Sequence, residues 1–120
     1  MIQLAAQTSF ALGILAVTYL SSIPSESLPH INFSDKLLHI AAYAGVALVG
    51  GIGFRGTRSA LLIAAGLLAL GSLLEVVQIE IPGRSASIFD ALADGAGITI
   101  GLAGAWAIDF LGGRNEASQR

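Results

Sequence analysis

The chain has 120 residues, of which 54% are hydrophobic and 12% charged, whereas an ordinary soluble domain carries roughly 25% charged residues; its mean hydropathy of +0.77 makes water the wrong solvent for it. Cysteine is absent, which excludes a disulfide framework, a thiolate metal centre and a catalytic thiol. The net charge is −2 and no basic run is present to neutralise phosphates along a duplex, so a nucleic-acid partner is not expected.

The apolar residues fall in long blocks, not in the short alternating runs of strands. The first block runs from about Ile2 to Ile23 and is closed by Pro24, long enough at ~1.5 Å per residue to cross a ~30 Å hydrocarbon core. A cleaved secretory signal is the competing reading, but the block lacks the basic stretch that precedes such signals, so it is taken as a retained helix. The second block, Leu37 to Phe54, follows the polar Ser34-Asp35-Lys36 and stops before Arg55-Gly56-Thr57-Arg58, which reads as a tight turn. The third, Ser59 to Ile81, ends at Pro82-Gly83-Arg84, and the fourth, Ile88 to Leu111, ends at Gly112-Gly113-Arg114. The expected architecture is an all-α membrane protein, a single domain over 1–120. It has four transmembrane helices over about 2–23, 36–54, 59–81 and 87–111, short loops and a polar tail over 112–120.

Lys and Arg in short loops set orientation. Arg55, Arg58, Arg114 and Arg120 share one side, and only Lys36 and Arg84 lie on the other. Both termini and the Arg55 turn are therefore expected in the cytoplasm, with the connections Pro24 to Ser34 and Pro82 to Ser87 outside.

The informative residues are polar ones inside the apolar blocks, because a charge at a helix centre costs ~2.5–3.5 kcal/mol on the insertion scale. Asp35, His39 and Tyr43 are spaced i, i+4, i+8, which stacks them on one face of the second helix. Glu75 and Gln78 share a face near the end of the third. On the fourth, Ser87 and Asp90 have the spacing of a capping box, and Asp94 lies one turn deeper on the Asp90 face. Gly97 and Gly101 continue that face as a small-xxx-small packing pair, with Ala105 beyond. An antiparallel bundle gathers Asp35, Lys36, His39, Tyr43, Glu75, Gln78, Arg84, Asp90 and Asp94 at the outer ends of helices two to four. There they should point inward, since lipid would satisfy none of them.

Each residue also has a structural use. Asp35 and Lys36 suit a helix start. Tyr43 suits a core or interfacial aromatic, and Ser87 with Asp90 suits a cap. Glu75, an acid inside a span, needs a partner among Arg84, Lys36 and His39. Arg84 is expected to brace the hairpin by pairing Glu75 or Asp90, or to contact a ligand. Gly13, Gly45, Gly50, Gly66 and Gly71 offer further small faces for a second copy.

The set Ser34-Asp35-Lys36-Leu37-Leu38-His39 with Tyr43, then Glu75 with Gln78, then Pro82-Gly83-Arg84 with Ser87 and Asp90, resembles the VanZ-like family over Ser34 to about Gly101. The first helix carries no motif of it. The resemblance implies a small multi-pass protein of the bacterial inner membrane, in a family named after a member associated with low-level teicoplanin resistance and without an established biochemical mechanism. One position departs: Asp94 stands where the family pattern more usually has Asn.

Three functions follow from the residues. The first is a site for a lipid head group or cell-envelope precursor at the outer leaflet, with Arg84, Lys36 and His39 as anion partners and the acids holding those bases or a substrate amine. The second is a hydrolase or transferase on a polyprenyl-linked substrate, with Glu75 or Asp90 as base and His39 as acid. The third is an accessory subunit whose ion pairs fix helix register. No HExxH, GxSxG, P-loop or dinucleotide fingerprint is present, so no catalytic residue, cofactor or metal is assigned; a metal would have to be built from His39 and carboxylates on separate helices. Protein partners are not specified by the sequence.

Overall fold

Residues 1–28 and 34–118 are described by a computed structural model, which is all-helical. The helices are α1 (Ile2–Ser22), α2 (Asp35–Gly53), α3 (Thr57–Gln78) and α4 (Ile88–Ser118), with a short 3-10 turn at Ser25–Ser27. All four are long and apolar enough to cross a bilayer, α4 over Ile88–Gly113, which is the architecture of a multi-pass membrane protein.

Local chemistry sets the boundaries. Ile23 is extended (φ −98°, ψ 152°), the geometry favoured before a proline, and α1 ends at Ser22. Ser34 caps α2, its hydroxyl oxygen accepting from the Leu37 N–H at 3.1 Å. Gly56, at φ 105°, takes a backbone conformation that a side chain would oppose and lets α3 begin at Thr57, two residues earlier than expected. At its far end α3 stops at Gln78 instead of Ile81. The chain there tightens into successive turns, Ile79 to Val76, Glu80 to Val77 and Ile81 to Gln78, next to Pro82, which disfavours helical geometry at Ile81. The expected stop at Gly112-Gly113 is corrected in the other direction: α4 continues to Ser118. Glycine weakens a helix by ~1 kcal/mol but retains its N–H, so a helix can run through it, as α4 runs through Gly112 and Gly113. Of the expected outer connection, residues 29–33 lie outside the described residues, as do Arg120 and the side chain of Arg114.

Consecutive helices run antiparallel, and the most extensive packing joins α2 to α4, which run parallel. Gly97 and Gly101 create that seam. A methyl group at Gly97 would collide with the Ile40 carbonyl oxygen and one at Gly101 with the Ala44 carbonyl oxygen, so the two backbones touch. The buried residues of α4 recur as Asp90, Ala93 and Asp94, Gly97 and Ile98, Gly101 and Ala105, one face throughout. Tyr43, Val46, Ala47, Ile63, Leu67 and Ile98 form the core, and Phe10, Ile14 and Val17 close it from α1. Among the described residues the backbones of α1 and α4 do not come close.

Three of the glycines expected to offer faces to a second copy are used within the chain: Gly13 faces Val46, Gly50 faces Phe10, and Gly71 faces Asp94 and Tyr43. The outside is apolar, with Leu12, Leu61, Leu73, Ile100 and Trp106 exposed, while Glu75, Gln78, Asp90 and Asp94 are buried. This inversion is what a lipid solvent requires.

Candidate functional site

The C-termini of α1 and α3 and the N-termini of α2 and α4 meet at one end of the bundle, the polar end. Along the α2 stripe burial deepens with each turn. The Asp35 side chain is 64% exposed and that of His39 15%, and Tyr43 as a residue is only 3% exposed. The His39 ring lies between two acids: Nδ1 is 2.6 Å from Asp94 Oδ1, and Nε2 is 3.9 Å from Asp35 Oδ2. An ionised carboxylate can only accept, so Nδ1 carries the hydrogen that points at Asp94. Asp94, at 1% exposure the most buried polar residue of the cluster, thereby fixes the ring across the α2–α4 seam.

Asp90 takes a different partner. Lys36 Nζ donates to its Oδ1 at 3.3 Å, with the lysine half exposed and the acid buried. The expected capping box at the start of α4 is therefore corrected. The Ser87 hydroxyl does accept from the Phe89 N–H at 3.2 Å, but the Ser87 N–H donates to Glu75 Oε2 at 2.9 Å. An acid on α3 does what Asp90 would do in a local box, which frees Asp90 for Lys36. Glu75 thus finds its hydrogen bond in a backbone N–H, not in the charged partner expected for it.

Arg84 requires a second correction, since it pairs with neither Glu75 nor Asp90. Its Nε donates to the Ile23 carbonyl at 3.2 Å and its Nη2 to the Leu20 carbonyl at 2.5 Å. Gln78 Nε2 donates to the Ser21 carbonyl at 3.2 Å. These are the orphan carbonyls at the end of α1, where a cation also complements the helix dipole. Glu75 and Gln78, three residues apart, consequently serve different neighbours, α4 and α1.

Within the cluster, Asp35, Glu75, Asp90 and Asp94 face Lys36 and His39, while Arg84 is engaged with α1. The cluster is acidic. Beside it lies a partly open cavity of about 290 Å³ between α1 and α2. Leu20 and Leu38 contribute apolar wall, and Asp35, His39, Tyr43 and Arg84 contribute polar surface. A hollow of about 270 Å³ reaches Glu75 and Ser87 from between α3 and α4.

Two groups of side chains have metal-binding proximity. One nitrogen of His39 and one carboxylate oxygen each of Glu75 and Asp94 lie within 4.8 Å of one another, and Asp35, His39 and Asp90 satisfy the same limit. Sequence reasoning did not include Gly71 in the site. A Cβ there would lie 2.7 Å from Asp94 Oδ2 and 3.1 Å from the Tyr43 hydroxyl oxygen, so the glycine leaves those two groups their room. The carbonyls of α1 were also missed, since backbone acceptors leave no mark in a sequence. Family models, curated proteins and solved structures yield no match to the chain.

Proposed function

We propose that the chain is a VanZ-like protein of a bacterial inner membrane whose polar end lies at the outer leaflet and binds a lipid head group or a lipid-linked envelope precursor. In this reading both termini are cytoplasmic, and the protein contributes to tolerance of envelope stress and glycopeptide antibiotics. The observation that carries the reading is the cavity between α1 and α2, which joins apolar wall from Leu20 and Leu38 to Arg84 and Asp35. An amphiphile has the same division. Arg84 uses two hydrogens on α1, and its remaining donors suit a phosphate oxygen. The exposed Asp35 carboxylate suits an amine. The best-fitting head group is therefore zwitterionic, a phosphate linked to an ammonium. Lys36, held by Asp90, is a support and not an anion partner. The orientation rests on Arg55 and Arg58 at the opposite end.

Native mass spectrometry of the purified chain tests this. Wild type should retain phosphatidylethanolamine in preference to phosphatidylglycerol, and Asp35→Asn, which removes a solvent-exposed charge and keeps the shape of the side chain, should lose that preference with little change in thermal stability. Equal retention of both lipids by wild type would rule the reading out. A second reading draws on the 2.6 Å His39–Asp94 pair, the arrangement that orients a histidine for acid–base work. In a hydrolase or transferase His39 Nε2 would act on the cavity, and turnover of a polyprenyl-linked substrate lost in His39→Gln would favour it.

A further inference from the structure

We infer that His39, Glu75 and Asp94 form a binding site for a divalent first-row transition-metal ion, zinc being the first to test. The three side chains come from α2, α3 and α4, so the site exists only in the assembled bundle. One donor atom from each lies within 4.8 Å of the others. A tetrahedral zinc ion with ligands at about 2.0–2.2 Å needs donors roughly 3.3–3.6 Å apart. The 4.8 Å limit brackets that spacing, so the donors would close onto the ion. The His39–Asp94 contact of 2.6 Å must open slightly, exchanging the shared hydrogen for the metal. One imidazole and two carboxylates neutralise a dication. They favour zinc, manganese or iron(II) over copper(I), which needs sulfur, and over calcium, which prefers oxygen alone.

Charge supplies a physical reason. Two buried carboxylates within 4.8 Å repel in a low-dielectric interior unless a proton or a cation lies between them. Lys36 is committed to Asp90 and Arg84 to α1, which leaves a proton shared with His39 or a metal ion to separate them.

An observation independent of the triad points the same way. Tyr43 is 97% buried (3% exposed), lines the cavity, and its hydroxyl makes no hydrogen bond to any described residue. Asp94 Oδ2 is likewise without a hydrogen bond there, and Gly71 keeps a space beside both groups that a Cβ would fill. A metal on Asp94 with a water or ligand oxygen in its fourth position would engage both. This inference does not depend on the lipid reading, because metal binding is read on the protein alone.

The test is titration of the chelator-stripped full chain in detergent with Co2+, followed by visible absorption, and with Zn2+ in competition. Wild type should bind one ion per chain and show ligand-field bands. His39→Gln and Glu75→Gln should each weaken binding by at least ~100-fold, beyond the ~10–100-fold typical of outer-shell partners. Gly71→Ala removes no ligand but pushes Asp94 aside, and should weaken binding as well; Asp109→Asn, at the opposite end, should not. Absence of stoichiometric binding in wild type overturns the proposal whatever the variants do, as does undiminished affinity in folded His39→Gln and Glu75→Gln.

Discussion

The two ends of the bundle solve the problem of helix ends differently. Away from the polar end, Gln3 and Gln7 donate to the Gly53 carbonyl at 3.2 and 2.9 Å, and Phe10 meets Phe54 edge to face. The ion pair there, Arg55 with Asp109 at 2.9 Å, has side chains 62% and 35% exposed. At the polar end Glu75, Asp90 and Asp94 are buried, and hydrogen bonds and ion pairs tie α1 to α3 and its following turn, α2 to α4, and α3 to the start of α4. Caps and a solvated pair suffice to finish a helix. Four carboxylates around one imidazole exceed that need, which is the reason for reading the polar end as a site.

Substitutions that break this contrast should rank by burial. Asp94→Ala leaves His39 without its partner and should cost about 3–5 kcal/mol, seen as the largest loss of midpoint in reversible unfolding from detergent. Gly101→Ile drives a branched side chain into the Ala44 backbone and should cost at least about 1–3 kcal/mol, with membrane abundance falling in parallel. Arg84→Ala uncovers the α1 carbonyls. It should cost about 1–2 kcal/mol and speed proteolysis near the C-terminal end of α1, where those two bonds are lost. Arg55→Ala should change the unfolding midpoint by less than about 1 kcal/mol, as expected for an exposed pair. An Arg55 effect as large as that of Asp94 would erase the distinction between the ends.

Much of the contrast is visible in the amino-acid order, and the reason is periodicity. Spacings of four place Asp35, His39 and Tyr43 on one face, as they do Asp90, Asp94, Gly97 and Gly101, and an antiparallel bundle fixes which ends meet. The pairings were less legible. Which base meets which acid depends on interhelical distances, and Lys36 reaches Asp90 while Arg84 faces the open end of α1. The Ser87–Asp90 spacing was misleading because a capping box assumes no competitor, and Glu75 competes from another helix. The helix stops failed for a local reason: proline acts upstream of itself at Ile81, and paired glycines alone do not stop α4.

The most direct measurement is growth of a deletion strain carrying wild type, Asp35→Asn, His39→Gln or Glu75→Gln on teicoplanin and other envelope stresses, with membrane abundance blotted alongside. If the polar end is a working site, the variants remain in the membrane at wild-type level and fail to complement. Full complementation, or failure that only tracks loss of protein from the membrane, would mean that the cluster is scaffolding.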